Sequence, residues 1–185
     1  RQLTSNQKLR DLRHSLEVFH GSNKGGQKAI DTAWPHLGHD DRSIRYAARL
    51  AIENQNLELW RARVLAGKNP RQLIYGTIAL ARHGDPRLSK KIIAKLKGIS
   101  FRQLPEEDQL ALLRAYSLCF IRLGKPTPSE ITTVIAQLNP HYPSQSDTVN
   151  AELCRTLSFL DAPEVVAKTI KLMKSTQTQT VAYDK

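Results

Sequence analysis

The chain has 185 residues, with 28 lysines and arginines against 17 aspartates and glutamates, a formal charge of +11. That length holds one domain or a short repeat array, and 40% apolar residues suffice to bury a core. Wholesale disorder is excluded by the modest charged fraction and the ordinary glycine and proline counts. No run of about 18 uncharged apolar residues occurs, so no membrane-spanning helix is expected. The sequence opens on Arg1 without a signal-type apolar run, and so reads as a segment of a longer protein.

Taken in chain order, the elements repeat one pattern of polar cap, amphipathic run, and glycine or proline break. After a loose lead-in at 1–5, the first helix is expected from Asn6 to His20. It carries Leu9, Leu12, Leu16 and Phe19 on one face, with Gly21 as its stop. A second run reaches from about Lys24 to Trp34 and ends at Pro35. Asp40 or Asp41 can cap a third, striped by Ile44, Ala47, Ala48 and Ala51. Leu57 to Ala66 is a fourth, stopped by Gly67. Asn69 and Pro70 suit the N-cap and first helical position of a fifth, which Gly84 closes.

Leu88 to Lys97 is a sixth, closed by Gly98. The seventh, about Pro105 to Leu123, is apolar nearly all round and is expected to be buried between neighbours. Pro128 to Leu138, Asp147 to Leu160 and Pro163 to Lys174 complete ten helices, followed by a polar tail or linker at 175–185. No strand run is found, because the β-branched residues fall at helical spacing.

Paired, these helices occupy about 35 to 45 residues, the period of HEAT or armadillo-like repeats. The expected fold is therefore all-α: a right-handed α-solenoid of about four to five helical pairs spanning 6–174, with an irregular helical bundle as the alternative. The third helix gives the most specific local pattern. Asp41-Arg42-Ser43-Ile44-Arg45-Tyr46-Ala47-Ala48 resembles the HEAT sequence of Asp, branched apolar residue, Arg and small residues. There the aspartate caps, the alanines admit close helix approach, and the arginine can pair with carbonyls or acids.

A narrower resemblance rests on Ala33-Trp34-Pro35-His36-Leu37-Gly38-His39-Asp40 running into that helix, on Trp60-Arg61-Ala62-Arg63, on Leu80-Ala81-Arg82-His83-Gly84-Asp85-Pro86, and on Leu113 to Gly124. These segments look like the HEAT-repeat-like helical region of large planctomycete-type bacterial proteins. In that family the region lies between a sugar-dehydrogenase-like propeller and a c-type cytochrome domain. The resemblance covers Leu9 to Lys174. It implies a scaffold joining catalytic and electron-transfer modules, in a periplasmic or other extracytoplasmic setting, and it assigns no catalytic residue to the helical region.

The charge is concentrated. Between Arg61 and Arg102 stand eleven basic residues and one acid, Asp85, a window of +10 that leaves +1 for the rest of the chain. Arg87, Lys91 and Lys95 fall at i, i+4 and i+8, with Lys90 beside them. The candidate residues for an anionic partner are Arg61, Arg63, Arg71, Arg87, Lys90, Lys91 and Lys95. The same electrostatics suit an acidic protein surface, a neighbouring domain or a nucleic-acid backbone, while a plain solvated face would also produce it. Aromatics for base stacking are sparse there, only Trp60, Tyr75 and Phe101, each better placed for packing.

Other constellations favour structural roles. His36, His39, Asp40 and Asp41 invite a metal reading, but Pro35 and Gly38 place them in a turn with a capping aspartate. Glu106, Glu107 and Asp108 suit the dipole at the start of the seventh helix, and His141 lies between prolines. Cys119 and Cys154 belong to no CxxC or CxxCH motif, and sequence does not decide whether they pair. No GxSxG elbow and no phosphate-binding loop is present. No catalytic, metal or cofactor residue is therefore assigned. The function expected is a non-enzymatic scaffold or interaction module, with a nucleic-acid-binding HEAT protein as the rival and its DNA-glycosylase version ranked low.

Overall fold

In a computed structural model the backbone is described for residues 2–22 and 24–183, and side chains for 4–22 and 24–174. Among the described residues the chain is all-helical, with ten α-helices and no strand. They are α1 (Gln2–Glu17), α2 (Gly26–Ala33), α3 (Arg42–Glu53), α4 (Arg61–Ala66), α5 (Pro70–His83), α6 (Ser89–Lys97), α7 (Glu106–Arg122), α8 (Pro128–Leu138), α9 (Asp147–Phe159) and α10 (Val165–Tyr183). Single 3-10 turns at Trp34–Gly38, Leu57–Leu59, Pro86–Leu88, Phe101–Gln103 and Asn139–His141 fill many of the breaks.

The helix ends follow the capping chemistry of the sequence. Asp41, not Asp40, caps α3: its carboxylate accepts from Ser43 N and Ile44 N. Asn69 caps α5 with Pro70 in the first turn, and Gly84 ends it in the left-handed region at φ 75°. Thr127 and Glu130 form a reciprocal capping box on α8.

The outer boundaries differ from expectation. The lead-in expected at 1–5 is helical from Gln2, since residues 2–5 hold neither glycine nor proline to stop it. Arg1 lies outside the described residues. The tail expected at 175–185 continues α10 as far as Tyr183, again without a breaker, and residues 184 and 185 lie outside the described set.

By its contacts the chain forms two compact units, one of residues 1–96 and 114–125, the other of 97–113 and 126–185. The boundary falls within α7. Leu112, Leu113, Ala115, Tyr116, Leu118, Cys119 and Phe120 of that helix are buried, but Ile121 is 73% exposed.

In the first unit α3 is the hub. It packs against α1, α2, α5 and the 3-10 turn at 34–38, while α4 packs on α5. Ala47, Ala48 and Ala51 lie fully inside it and keep its surface low enough for neighbours to approach. Gly76 does the same for α5, where an added Cβ would meet both Val64 methyl carbons at 3.0 Å. Gln55, just beyond α3, is a buried amide staple. Its side-chain NH₂ donates to Ala51 O (2.8 Å) and Phe19 O (3.3 Å), and its oxygen accepts Gly26 N–H (3.0 Å). Nearby, His20 donates to Ala47 O at 2.8 Å.

Two arginines of α3 are buried. Arg45 has no exposed surface. Its Nη1 donates to His39 O (2.6 Å) and Asp40 O (2.8 Å), and its guanidinium carbon lies 5.1 Å from the Tyr75 ring centre. Arg49 meets Glu53 at 2.6 Å. Glu53 also accepts from Arg82, and its carbonyl accepts from His83 Nε2 at 2.9 Å. One carboxylate therefore joins two arginines and fastens α3 to the end of α5.

In the second unit α8 packs on α9, and α9 on α10. Asn150 of α9 holds the loop before it, accepting Ser144 N–H (2.7 Å) and donating to Ser144 O (3.0 Å). Tyr142 and Thr169 share a hydroxyl hydrogen bond of 2.7 Å. Gln137 of α8 donates to Ile99 O at 2.8 Å.

The buried Arg45 yields the first prediction. Arg45→Ala leaves the His39 and Asp40 carbonyls without their donor and empties the space beside Tyr75, a loss of about 3 kcal/mol. Arg42→Ala on the solvent face of the same helix changes stability by less than about 0.5 kcal/mol. Urea unfolding of both variants, followed by circular dichroism, checks the contrast.

Candidate functional site

The seven candidate residues separate into two groups in the structure, and local sequence decides which. Arg61 meets Glu58 one helical turn earlier, at 2.6 Å. Arg63 pairs with Asp31 at 2.9 Å and lies 4.5 Å from the Trp34 ring centre, fastening α4 to α2. Arg71 meets Asp40 at 2.8 Å. Arg87 donates twice to Asp85, Nε at 2.9 Å and Nη2 at 3.0 Å. Those bonds hold the Asp85 carboxyl below its usual range and raise the Arg87 guanidinium above its own. Arg82, also in the basic window, is taken by Glu53. Five of the six arginines in the window thus answer acids of the same unit, four of which lie outside the window in sequence.

The lysines behave differently. Lys90, Lys91 and Lys95 are exposed on α6, opposite the buried Ile92, Ile93 and Leu96. No carboxylate among the described residues pairs with them. The row expected from Arg87 through Lys91 to Lys95 is corrected in one respect. Arg87 lies in the 3-10 turn before α6, because Asp85 accepts its backbone N–H at 3.1 Å as well as its side chain. The continuous part of the row is Lys90, Lys91 and Lys95. Lys97 ends the helix, and Arg102 belongs to the second unit.

The window's aromatics are engaged in packing. Trp60 has no exposed surface, donates weakly to Gln55 O at 3.4 Å, and meets His83 edge-on. Tyr75 lies against Arg45, and Phe101 is buried with its ring stacked on His141 at 5.1 Å.

The histidine–aspartate turn before α3 is built for structure. His39 Nδ1 accepts Asp41 N–H at 2.9 Å, Asp41 caps α3, and Asp40 holds Arg71. Among the described residues no group of three or more His, Cys, Asp and Glu side chains is arranged to hold a metal ion. Both cysteines are free thiols, Cys119 buried and Cys154 beside Thr169 at 3.5 Å. No described helix is long and apolar enough to cross a membrane.

Sequence reading missed one feature, an open cleft of about 680 Å³ in the second unit. Phe101, Arg102, Glu106, His141, Ser144 and Ser146 line part of it. Its walls come from segments some 40 residues apart, and no local motif marks their meeting. Ser146 Oγ donates to Glu106 at 2.9 Å and also accepts Val149 N–H as the cap of α9, so the hydroxyl is committed. Burial, helped by Arg102, lowers the affinity of His141 for a proton. The cleft therefore presents an imidazole biased toward its neutral form, beside a serine hydroxyl already bonded to Glu106 and to the α9 backbone.

Compared with protein-family models, with curated proteins and with solved structures, the chain gives no significant match.

The lowered histidines set a pH dependence. His36 is depressed by burial and then by His39, and His141 by burial and then by Arg102, both from 6.5. A depressed histidine stabilises the fold in its neutral form. That contribution is complete above the unfolded value of 6.5 and is lost as pH falls through the folded value. The thermal midpoint should therefore drop between pH 7.5 and 5.5, above the carboxylate range, and His36→Gln with His141→Gln should flatten the drop. Differential scanning fluorimetry across that window is the check.

Proposed function

We propose that the chain is a non-enzymatic helical-repeat scaffold or interaction module that docks an anionic partner on the α6 lysine row. The observation carrying this reading is the division of the basic window. Its arginines are mostly consumed by internal pairs, while Lys90, Lys91 and Lys95 stand exposed and unpaired on one helix. Lysine on a long mobile stem is a compact, strongly hydrated charge. It suits a changeable anionic surface better than a fixed bidentate contact.

On this reading the helices form a right-handed α-solenoid of HEAT-like pairs. The packing of the first unit supports it: α3 lies between α1 and α5, and α2 and α4 each pack on the odd-numbered helix that follows. The capping Asp41, buried Arg45 and flanking alanines on α3 are what such stacking uses. The resemblance to planctomycete-type proteins would place the module between a sugar-dehydrogenase-like propeller and a c-type cytochrome domain. The acidic surface would then belong to a neighbouring domain. The packed state of Trp60 and Phe101 favours a protein partner over single-stranded nucleic acid, which needs open stacking platforms.

Binding of labelled poly-glutamate and of a generic DNA duplex, each titrated with salt, tests the proposal. Three lysines give poly-glutamate binding at low salt with a shallow salt dependence. Lys90→Glu, Lys91→Glu and Lys95→Glu together should abolish it, and Arg61→Ala should leave it within about twofold. Duplex binding with a log–log salt slope steeper than about −5 would need six or more phosphate contacts and would favour the nucleic-acid reading. Absence of binding to both polymers at low salt would overturn the docking role.

A further inference from the structure

The cleft of the second unit is held in shape from both sides by side-chain bonds to backbone. One wall is the 3-10 turn at 101–103 with the start of α7. Gln109 of α7 donates to Phe101 O (3.2 Å) and Leu104 O (3.1 Å), and Gln137 of α8 holds Ile99 O just before the turn. The other wall is the loop 139–146. Lys168 donates to Asn139 O and Oδ1, Asn150 clamps Ser144 at its N–H and its carbonyl, and Ser144 Oγ donates to Ser146 O. Pro140 and Pro143 line this wall and restrict its backbone further. The bond from Ser146 to Glu106 and the stacked rings of His141 and Phe101 join the two walls. At about 680 Å³ the cleft has the size of a small-molecule site, and its walls are formed in advance.

The charges of the cleft select what fits. Arg102 is exposed, lines the cleft, and pairs with no carboxylate among the described residues. It is the sixth arginine of the basic window, the other five being taken by acids of the first unit. Glu106, four residues on, lines the same cleft but takes the Ser146 hydroxyl rather than the guanidinium. An open guanidinium fork matches a carboxylate through two parallel hydrogen bonds. Glu106 sets the limit, because a second negative charge on the ligand would share the cleft with its carboxylate and be repelled. Pro140, His141 and Pro143 add three ring side chains to the lining. Such ring faces suit an aromatic body better than a hydrated polar chain.

We propose that this cleft binds a small aromatic carboxylate of single negative charge, with Arg102 holding the carboxylate and the ring lying among Pro140, His141 and Pro143. The site is separate from the α6 lysine row. Its residues all belong to the second unit, whereas Lys90, Lys91 and Lys95 belong to the first. It stands whether or not the row docks a partner.

Titration of the isotope-labelled full chain with benzoate, followed residue by residue in two-dimensional amide NMR spectra, is the test. The expected result is saturable shifts centred on 101–109 and 139–146, with a dissociation constant of the order of 1 mM for so small a probe. Benzyl alcohol lacks the charge, acetate lacks the ring and phthalate carries a second charge, so each should bind about tenfold more weakly or worse. Arg102→Gln should weaken benzoate about tenfold or more, while Arg114→Gln, at an exposed arginine outside the cleft, leaves it within about twofold. Glu106→Gln should strengthen phthalate and leave benzoate at least as tight. Unchanged amide shifts away from the cleft show that each variant is folded. The proposal is overturned by the absence of saturable shifts up to about 20 mM benzoate, by shifts centred on the α6 lysines, or by binding indifferent to Arg102→Gln. Benzyl alcohol binding as well as benzoate overturns the role of Arg102, and phthalate binding as well overturns the selection for one charge.

Discussion

Arg45 carries a positive charge to a place with no solvent contact, and the first unit is arranged to accept it. The turn before α3 delivers the carbonyls of His39 and Asp40 to its Nη1, and α5 supplies the ring of Tyr75. A buried guanidinium is tolerated only where such acceptors are fixed in advance. The fixing is done by Asp41, which caps α3 and takes its own N–H to His39. The histidines and aspartates of that turn are thus spent on geometry. A second buried arginine on the same helix, Arg49, adds the carboxylate bridge from Glu53 to Arg82.

This arrangement explains how the charge excess is distributed. Arginine offers a planar fork that matches carboxylates and carbonyls, so the fold uses it internally, across helices and along them. Acids from outside the basic window, Asp31, Asp40, Glu53 and Glu58, neutralise it from neighbouring elements. Among the described residues, the exposed bases of the window without a carboxylate partner are mostly lysines. A formal charge read along a sequence therefore overstates the basic surface, because pairing in space crosses the window's edges.

Much of the local structure was legible because it rests on short-range chemistry. Asn69 and Pro70 opening α5, Gly84 closing it, and the helical spacing of every apolar run come from backbone geometry that acts within a few residues. The alanines of α3 and the inward arginine were legible for the same reason, as one local pattern. Four things were not. The division of α7 between two units depends on packing partners far along the chain. The extension of α1 and α10 into polar sequence needed only the absence of a breaker, which a reading keyed to apolar stripes undervalues. Arg87 left the lysine row because a neighbouring aspartate outcompeted helical register. The cleft beside His141 joins segments with no motif in common.

The central claim is that the α6 lysines are the open anionic-partner surface of a chain whose arginines are mostly closed by internal pairs. Lysine-selective reductive methylation, read residue by residue by mass spectrometry with and without poly-glutamate at low salt, tests it directly. The account predicts ready labelling of Lys90, Lys91 and Lys95 in the free chain and their selective protection by the polymer, with Lys8 and Lys28 labelled equally in both states. Equal labelling of all lysines with and without the polymer, or protection centred away from α6, would contradict it.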